Sequence, residues 1–154
     1  MDAFSTSSIT EFAIVLAGFS GLVIAIGSKE GRSSPLTKHR TLCMLSFSFA
    51  AAFGSLLPAV ALSFGTQNIW TFSSYGLISI LLIAVILVHL SARFLLNEEE
   101  RKKLAWYMYI LIYWVNGFLV LLLALMPIAG LFFIALVWQL IVSAILFTRL
   151  ILQS

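Results

Sequence analysis

The chain has 154 residues, of which 62% are hydrophobic and only 10% are charged, and its formal net charge is +3. This composition excludes a soluble globular domain and is typical of an integral membrane protein. The lone Cys43 excludes an intrachain disulfide and any metal site built from several cysteines. The chain has more basic than acidic residues but no nucleic-acid-binding motif. We therefore interpret the excess of positive charge as an indicator of membrane topology.

Five apolar segments follow one another along the chain, at residues 9–27, 41–65, 69–92, 104–126 and 131–150. Each can cross a hydrocarbon core about 30 Å thick, which requires roughly 20 helical residues. The sequence therefore predicts an all-α, five-helix transmembrane bundle that forms a single domain over residues 1–154. The first segment is expected to remain in the protein, because Asp2 and Glu11 stand where a cleavable signal peptide carries basic residues.

The positive charges predict the orientation of this bundle. All nine Lys and Arg residues fall in residues 28–40, in residues 93–103 or at Arg149, whereas the turns at 66–68 and 127–130 carry none. Because cytoplasmic loops are enriched in Lys and Arg, we expect the N-terminus outside and the C-terminus inside. The expected location is a bacterial cytoplasmic membrane.

The first two segments are rich in small residues. In the first segment they recur every four positions, with Gly18 beside them, at Ala13, Ala17, Gly21 and Ala25. In the second, Ser46, Ala50 and Gly54 form one row. Such rows let membrane helices approach closely, either within one chain, between copies of the chain or around a pore.

Glu11 and Pro58 each have two interpretations. Ser8 and Glu11 have the spacing of a capping box, although Glu11 is also the one acidic residue within a predicted segment. Pro58 removes a backbone hydrogen bond inside the second segment, and Ser55 or water could satisfy the carbonyl that it frees. The proline predicts either a static kink or a gating hinge.

Two amides lie near the predicted middle of the bilayer. Asn116 is thirteen residues from Lys103, and Gln139 is ten residues from Arg149. Because a short turn joins their segments, the two side chains could bond to each other. The alternative is that one of them forms a polar ring inside a homo-oligomeric pore.

Basic and aromatic residues gather at the predicted inner face. His39 lies in the run Lys38-His39-Arg40, which we interpret as solvated, and His89 lies one turn before Arg93. Because a haem with two histidine ligands needs both rings inside a sealed pocket, we do not expect a haem here. We also expect no other cofactor and no metal. Deeper aromatic residues, including Trp114, are interpreted as packing residues. Anionic lipid is the expected partner of the basic side chains, with a phosphate-bearing ligand as the alternative. The candidates are Lys29, Arg32, Lys38, Arg40, Arg101, Lys102 and Lys103.

The run from Glu11 to Gly21, E-F-A-I-V-L-A-G-F-S-G, resembles the opening helix of small bacterial multi-pass membrane proteins of unassigned function. The resemblance covers about a dozen residues. Small chains of this kind include membrane-active effectors of anti-phage systems, so the resemblance implies such a role as one expectation.

The predicted function is reached by elimination. The segments contain no nucleophile–base pair or metal-ligand cluster, so we expect no enzyme. We predict a homo-oligomeric ion channel that prefers cations and is gated by an anionic ligand at the inner face. Its candidate pore residues are Glu11, Gly18, Gly21, Ser55, Pro58, Asn116 and Gln139. The alternative is a non-conducting scaffold that holds a soluble cytoplasmic partner at the membrane.

Overall fold

The computed structural model describes residues 34–102 and 106–152, together with Glu11, Ile14, Gly18 and Gly21 from the first segment. Its helices are α1 (Pro35–Ser63), α2 (Ile69–Leu95), α3 (Glu98–Lys102), α4 (Trp106–Leu125) and α5 (Ala129–Leu152). Within the described residues, three helices are long and apolar enough to cross a membrane: Pro35–Ser63, Ile69–Leu95 and Ala129–Leu150. A shorter apolar stretch covers Ile112–Leu125. The predicted all-α class is confirmed for the described residues.

Helix α1 begins six residues before the predicted position 41. Ser34 is the N-cap, its Oγ accepting a hydrogen bond of 3.2 Å from the Thr37 amide, and Pro35 occupies the first turn. Proline suits this position because its fixed φ is helical and the amide that it lacks would have no partner there. The prediction of a solvated run at Lys38-His39-Arg40 is wrong for His39, whereas Lys38 is exposed as predicted and Arg40 is partly buried. These residues are helical, and His39 is only 1% exposed.

Small residues on α1 let it pack closely against α2 and α5. A Cβ atom added at Gly54 would lie 2.8 Å from Leu136 Cδ2 and 2.8 Å from Leu77 Cδ1. Ala50, one turn earlier, is buried in the same apolar cluster. Packing within the chain, one of the interpretations of the small-residue row, is thus confirmed at Ala50 and Gly54.

The α2–α4 connection contains one of the two hydrogen bonds of a capping box. Helix α2 continues past Arg93 to Leu95, and the Asn97 amide donates a hydrogen bond of 3.1 Å to Glu100 Oε2 at the start of α3. Arg101 reaches back from α3, with Nη2 donating to the Arg93 carbonyl over 3.0 Å. This bond ties the short helix to the end of α2.

Contacts between the helices place the charges at one end of the bundle. His39 bonds to Ser91 and Ser143 bonds to the Met44 carbonyl, so the start of α1 lies beside the ends of α2 and α5. The described cations at this charged end are Lys38, Arg40, Arg93, Arg101, Lys102 and Arg149. At the opposite end, the turns at residues 64–68 and 126–128 contain no charged residue.

The surface between the two ends is apolar. Large exposed side chains on α2 include Leu82, Ile83 and Ile86, and α4 and α5 expose Phe118 and Ile134 in the same way. The described helices therefore bury one face in the bundle and expose another apolar face.

Candidate functional site

The two mid-depth amides bond to each other inside the bundle. Gln139 Nε2 donates to Asn116 Oδ1 over 2.7 Å, and Asn116 Nδ2 donates to the Ile112 carbonyl over 3.0 Å. Both side chains are buried. The predicted hydrogen bond between helices is present, and it leaves the amides joined to their own chain.

Ser55 and Pro58 are also buried on α1. Ser55 Oγ donates to the Ala52 carbonyl over 2.7 Å, three residues earlier on the same helix. This bond differs from the predicted one, because the carbonyl whose helical partner Pro58 replaces belongs to Gly54. Both residues are thus enclosed within the described part of the chain.

Three candidate pore residues of the first segment, together with Ile14, form a separate exposed group. Glu11, Ile14, Gly18 and Gly21 are helical and exposed, and Ile14 is 60% exposed. Apart from the adjacent residues and the backbone of the same helix, no atom lies within 4 Å of a Cβ built on Gly18 or Gly21. Spacings of three, four and three residues place all four on one side of a helix. We call them the open face; Ala13, Ala17 and Ala25 lie outside the described residues.

A half-open cavity of about 960 Å³ lies at the charged end, and we call it the basic groove. Helix α2 lines it with Val88, His89, Ala92 and Arg93, and α3 contributes Arg101 and Lys102. Helix α4 supplies the remaining wall with Tyr109, Ile110, Tyr113 and Trp114, and His39 of α1 lies at the base.

Three cations lie at the rim of the basic groove. Arg93, Arg101 and Lys102 are all exposed, and Arg101 is held in place by its bond to the Arg93 carbonyl. A guanidinium has five N–H donors in a planar fork, and that bond engages Arg101 through Nη2. The rim can therefore bind an anion with more than one positively charged donor.

The wall of the groove is aromatic and apolar. Tyr109 is buried and Tyr113 is half-buried against the core, whereas Trp114 is 75% exposed. The prediction that Trp114 is a packing residue is therefore wrong. Its position four residues after Ile110 places both side chains on the open side of α4.

His39 closes the base of the groove through bonds within the protein. The Ser91 hydroxyl donates to the Val88 carbonyl over 2.8 Å, so its oxygen accepts from His39 Nδ1 at 2.7 Å. In the neutral ring Nε2 then carries no proton, and the buried Cys43 Sγ lies 3.5 Å from it. The imidazole also stacks on Tyr109, with ring centroids 6.0 Å apart. These contacts give His39 a structural role.

The other predicted cations lie away from the groove lining. Lys38 is exposed at the start of α1, and Arg40 is partly buried within electrostatic range of Arg149. Lys29, Arg32 and Lys103 fall outside the residues whose side chains the structure describes. Of the candidates for an anionic ligand, the groove therefore brings together Arg101 and Lys102.

Among the described residues, no group of three or more His, Cys, Asp or Glu side chains could hold a metal ion. Comparison of the chain with protein-family models, curated proteins and solved structures gave no match. The open face and the basic groove are therefore the two candidate functional surfaces of the described chain.

Sequence reasoning missed Arg93, His89 and Trp114 as members of one site. His89 and Arg93, like Ile110 and Trp114, are four residues apart and so share a helix face. That spacing was a detectable signal, but the pairing of the two faces across the groove depends on how α2 and α4 pack.

Proposed function

We propose that the protein crosses the bacterial cytoplasmic membrane several times, with its N-terminus outside, and that copies of it assemble into an ion channel. The apolar surface between the ends of the bundle supports the membrane placement, because soluble monomers rarely expose large continuous apolar patches. The gathering of described cations at one end supports an inward-facing C-terminus.

The open face carries the channel proposal. Gly18 and Gly21 offer a surface on which helices from different copies can approach closely. Glu11 lies on the same side of this helix, so in such an assembly the Glu11 side chains of several copies would surround a shared water-filled axis. The conduction path in this proposal runs between copies, since the interior amides Asn116 and Gln139 bond within one chain.

Each residue of the open face has a role in such an assembly. A ring of Glu11 carboxylates at the outer mouth would concentrate cations there. One turn deeper, a ring of Ile14 side chains would form a hydrophobic constriction that closes by excluding water. A current that dissipates ion gradients would suit a membrane-active effector of an anti-phage system, a role found among small multi-pass chains of the kind that the Glu11–Gly21 run resembles.

Bilayer recordings on reconstituted protein test this function. We expect Ile14→Ser to increase the current, because a hydroxyl hydrates the constriction. Ile83→Ser is the matched control: Ile83 is 58% exposed, nearly the same as Ile14, but lies on α2. Glu11→Gln should lower the preference for cations over anions, most strongly at low salt where screening is weak.

Two results would contradict the proposal. Equal effects of Ile14→Ser and Ile83→Ser would mean that the open face does not line the path. If the wild-type protein passes no current at any voltage, with or without anionic lipids and nucleotides, the channel is excluded and the non-conducting scaffold becomes the better interpretation.

A further inference from the structure

We propose that the basic groove binds one anionic phospholipid of the inner leaflet. The phosphate would lie at the rim with Arg93, Arg101 and Lys102, and an acyl chain would follow Ile110 and Trp114. This inference depends on the membrane placement proposed above, but it does not depend on conduction.

The volume and shape of the groove fit part of a lipid. About 960 Å³ lies at the upper end of the range of small-molecule sites, roughly 300–1,000 Å³. The cavity is open along one side, where Ile110 and Trp114 are exposed. A lipid headgroup and the upper part of a chain can therefore occupy it while the rest of the lipid remains in the bilayer.

The polarity of the groove changes along its length in the same direction as that of a phospholipid. Lys102 and Arg101 mark the charged rim, and Trp114 lies eight residues into α4, about 12 Å along the helix at 1.5 Å per residue. Val88 and Ala92 face it from α2. Charge at the rim and apolar surface further in match a phosphate followed by hydrocarbon.

The same gradient disfavours a water-soluble phosphate compound such as a nucleotide. A sugar and base placed beside Val88, Ala92 and Ile110 would lose water against apolar side chains, which is costly. His39, the polar residue at the base, already bonds to Ser91. The cations at the rim could bind the phosphate of either ligand. The apolar wall favours the lipid over the water-soluble compound.

The local structure holds the rim cations together before any ligand binds. The Arg101 bond to the Arg93 carbonyl fixes α3 over the end of α2, and the Asn97 amide bonds to Glu100 at the start of α3. A preorganised site loses less conformational entropy on binding than a mobile basic loop. Preorganisation therefore favours one specific lipid position over diffuse attraction to the anionic surface.

Quenching of tryptophan fluorescence by brominated lipids tests the proposal. The protein would be placed in phosphatidylcholine bilayers that contain either phosphatidylglycerol or phosphatidylcholine brominated in the acyl chains. The difference between wild type and Trp114→Phe isolates Trp114 from the other three tryptophans. We expect brominated phosphatidylglycerol to quench Trp114 at a lower mole fraction than brominated phosphatidylcholine.

Two lysine variants provide a matched comparison. Lys102 and Lys38 are both exposed at the charged end, but only Lys102 lines the groove. We expect Lys102→Gln to raise the half-quenching mole fraction of phosphatidylglycerol about fivefold, the ratio that follows from roughly 1 kcal/mol per basic residue. Lys38→Gln should leave the mole fraction unchanged.

The contrary outcomes have different meanings. Equal quenching by the two brominated lipids, or equal effects of the two lysine variants, would overturn the specific lipid site. Displacement of phosphatidylglycerol by inorganic phosphate or a nucleoside triphosphate would assign the groove to a soluble ligand instead. If neither lipid quenches Trp114, no acyl chain reaches this wall of the groove and the lipid site is likewise overturned.

Discussion

Gly54 on α1 and Gly21 in the first segment belong to similar rows of small residues, but their surroundings differ. Leucine side chains from α2 and α5 approach Gly54 so closely that a Cβ there would meet both at 2.8 Å. Around Gly21, apart from the adjacent residues and the backbone of the same helix, no atom lies within 4 Å of the equivalent position. A row of small residues thus shows that a helix can be approached closely, without showing whether the partner is in the same chain.

Among the substitutions considered, those at Gly54 should change the stability of the protein most. Gly54→Leu should lower the free energy of unfolding by about 3 kcal/mol, because the new side chain must displace Leu77 and Leu136 from a packed interior. Gly54→Ala should cost less, since the atoms that it meets are the movable ends of leucine side chains. Unfolding titrations in mixed detergent micelles would measure both. Equal stability of Gly54→Leu and wild type would show that α1 is not packed between α2 and α5.

A substitution at Gly21 should change the assembly of copies and have little effect on the stability of a single chain. Gly21→Leu should leave the unfolding free energy of a single chain within about 0.5 kcal/mol of wild type, as for surface substitutions in general. The same change should shift the purified protein toward smaller species, because the open face can no longer approach another copy closely. Native mass spectrometry of protein released from detergent would report the copy number. An unchanged oligomer would mean that this face contacts lipid.

A comparison of predicted and observed helix boundaries shows which parts of the fold can be predicted from the sequence. The observed α2, α4 and α5 agree with the predicted segments to within three residues, since long apolar stretches and uncharged turns define them. The start of α1 was missed, because Lys38 and Arg40 suggested a solvated connection while Ser34 and Pro35 already had the pattern of a helix start.

The candidate site was predictable only in part. The Asn116–Gln139 bond could be anticipated, because two amides at similar depth on helices joined by a short turn face few other polar partners. The basic groove could not, since its cations and its aromatic wall come from α2, α3 and α4, and only their packing brings them together. Burial of His39 depended likewise on Ser91, fifty-two residues away.

The smallest expected effect is at the interior amides. Gln139→Leu removes the bond to Asn116 but also removes Gln139 Oε1, a buried atom that accepts no hydrogen bond in the described structure. The stability change should therefore stay below about 1 kcal/mol, near the 0.6 kcal/mol average for hydrogen bonds between membrane helices. A double-mutant cycle with Asn116→Leu would measure the coupling. A marked loss of channel current in Gln139→Leu would instead place this amide on the conduction path.

Because Cys43 is buried, cysteines introduced at exposed positions can be labelled selectively in an otherwise unmodified chain. Cys43 is the single thiol of the sequence, and it lies wholly inside the bundle beside His39. A water-soluble maleimide reaches the exposed ends of a folded protein but not a sealed interior. Cysteines introduced one at a time at Asn68 and Asn97, on opposite ends of α2, would then be the reactive positions, and the side of the membrane from which each is labelled would reveal the orientation without first removing the native residue.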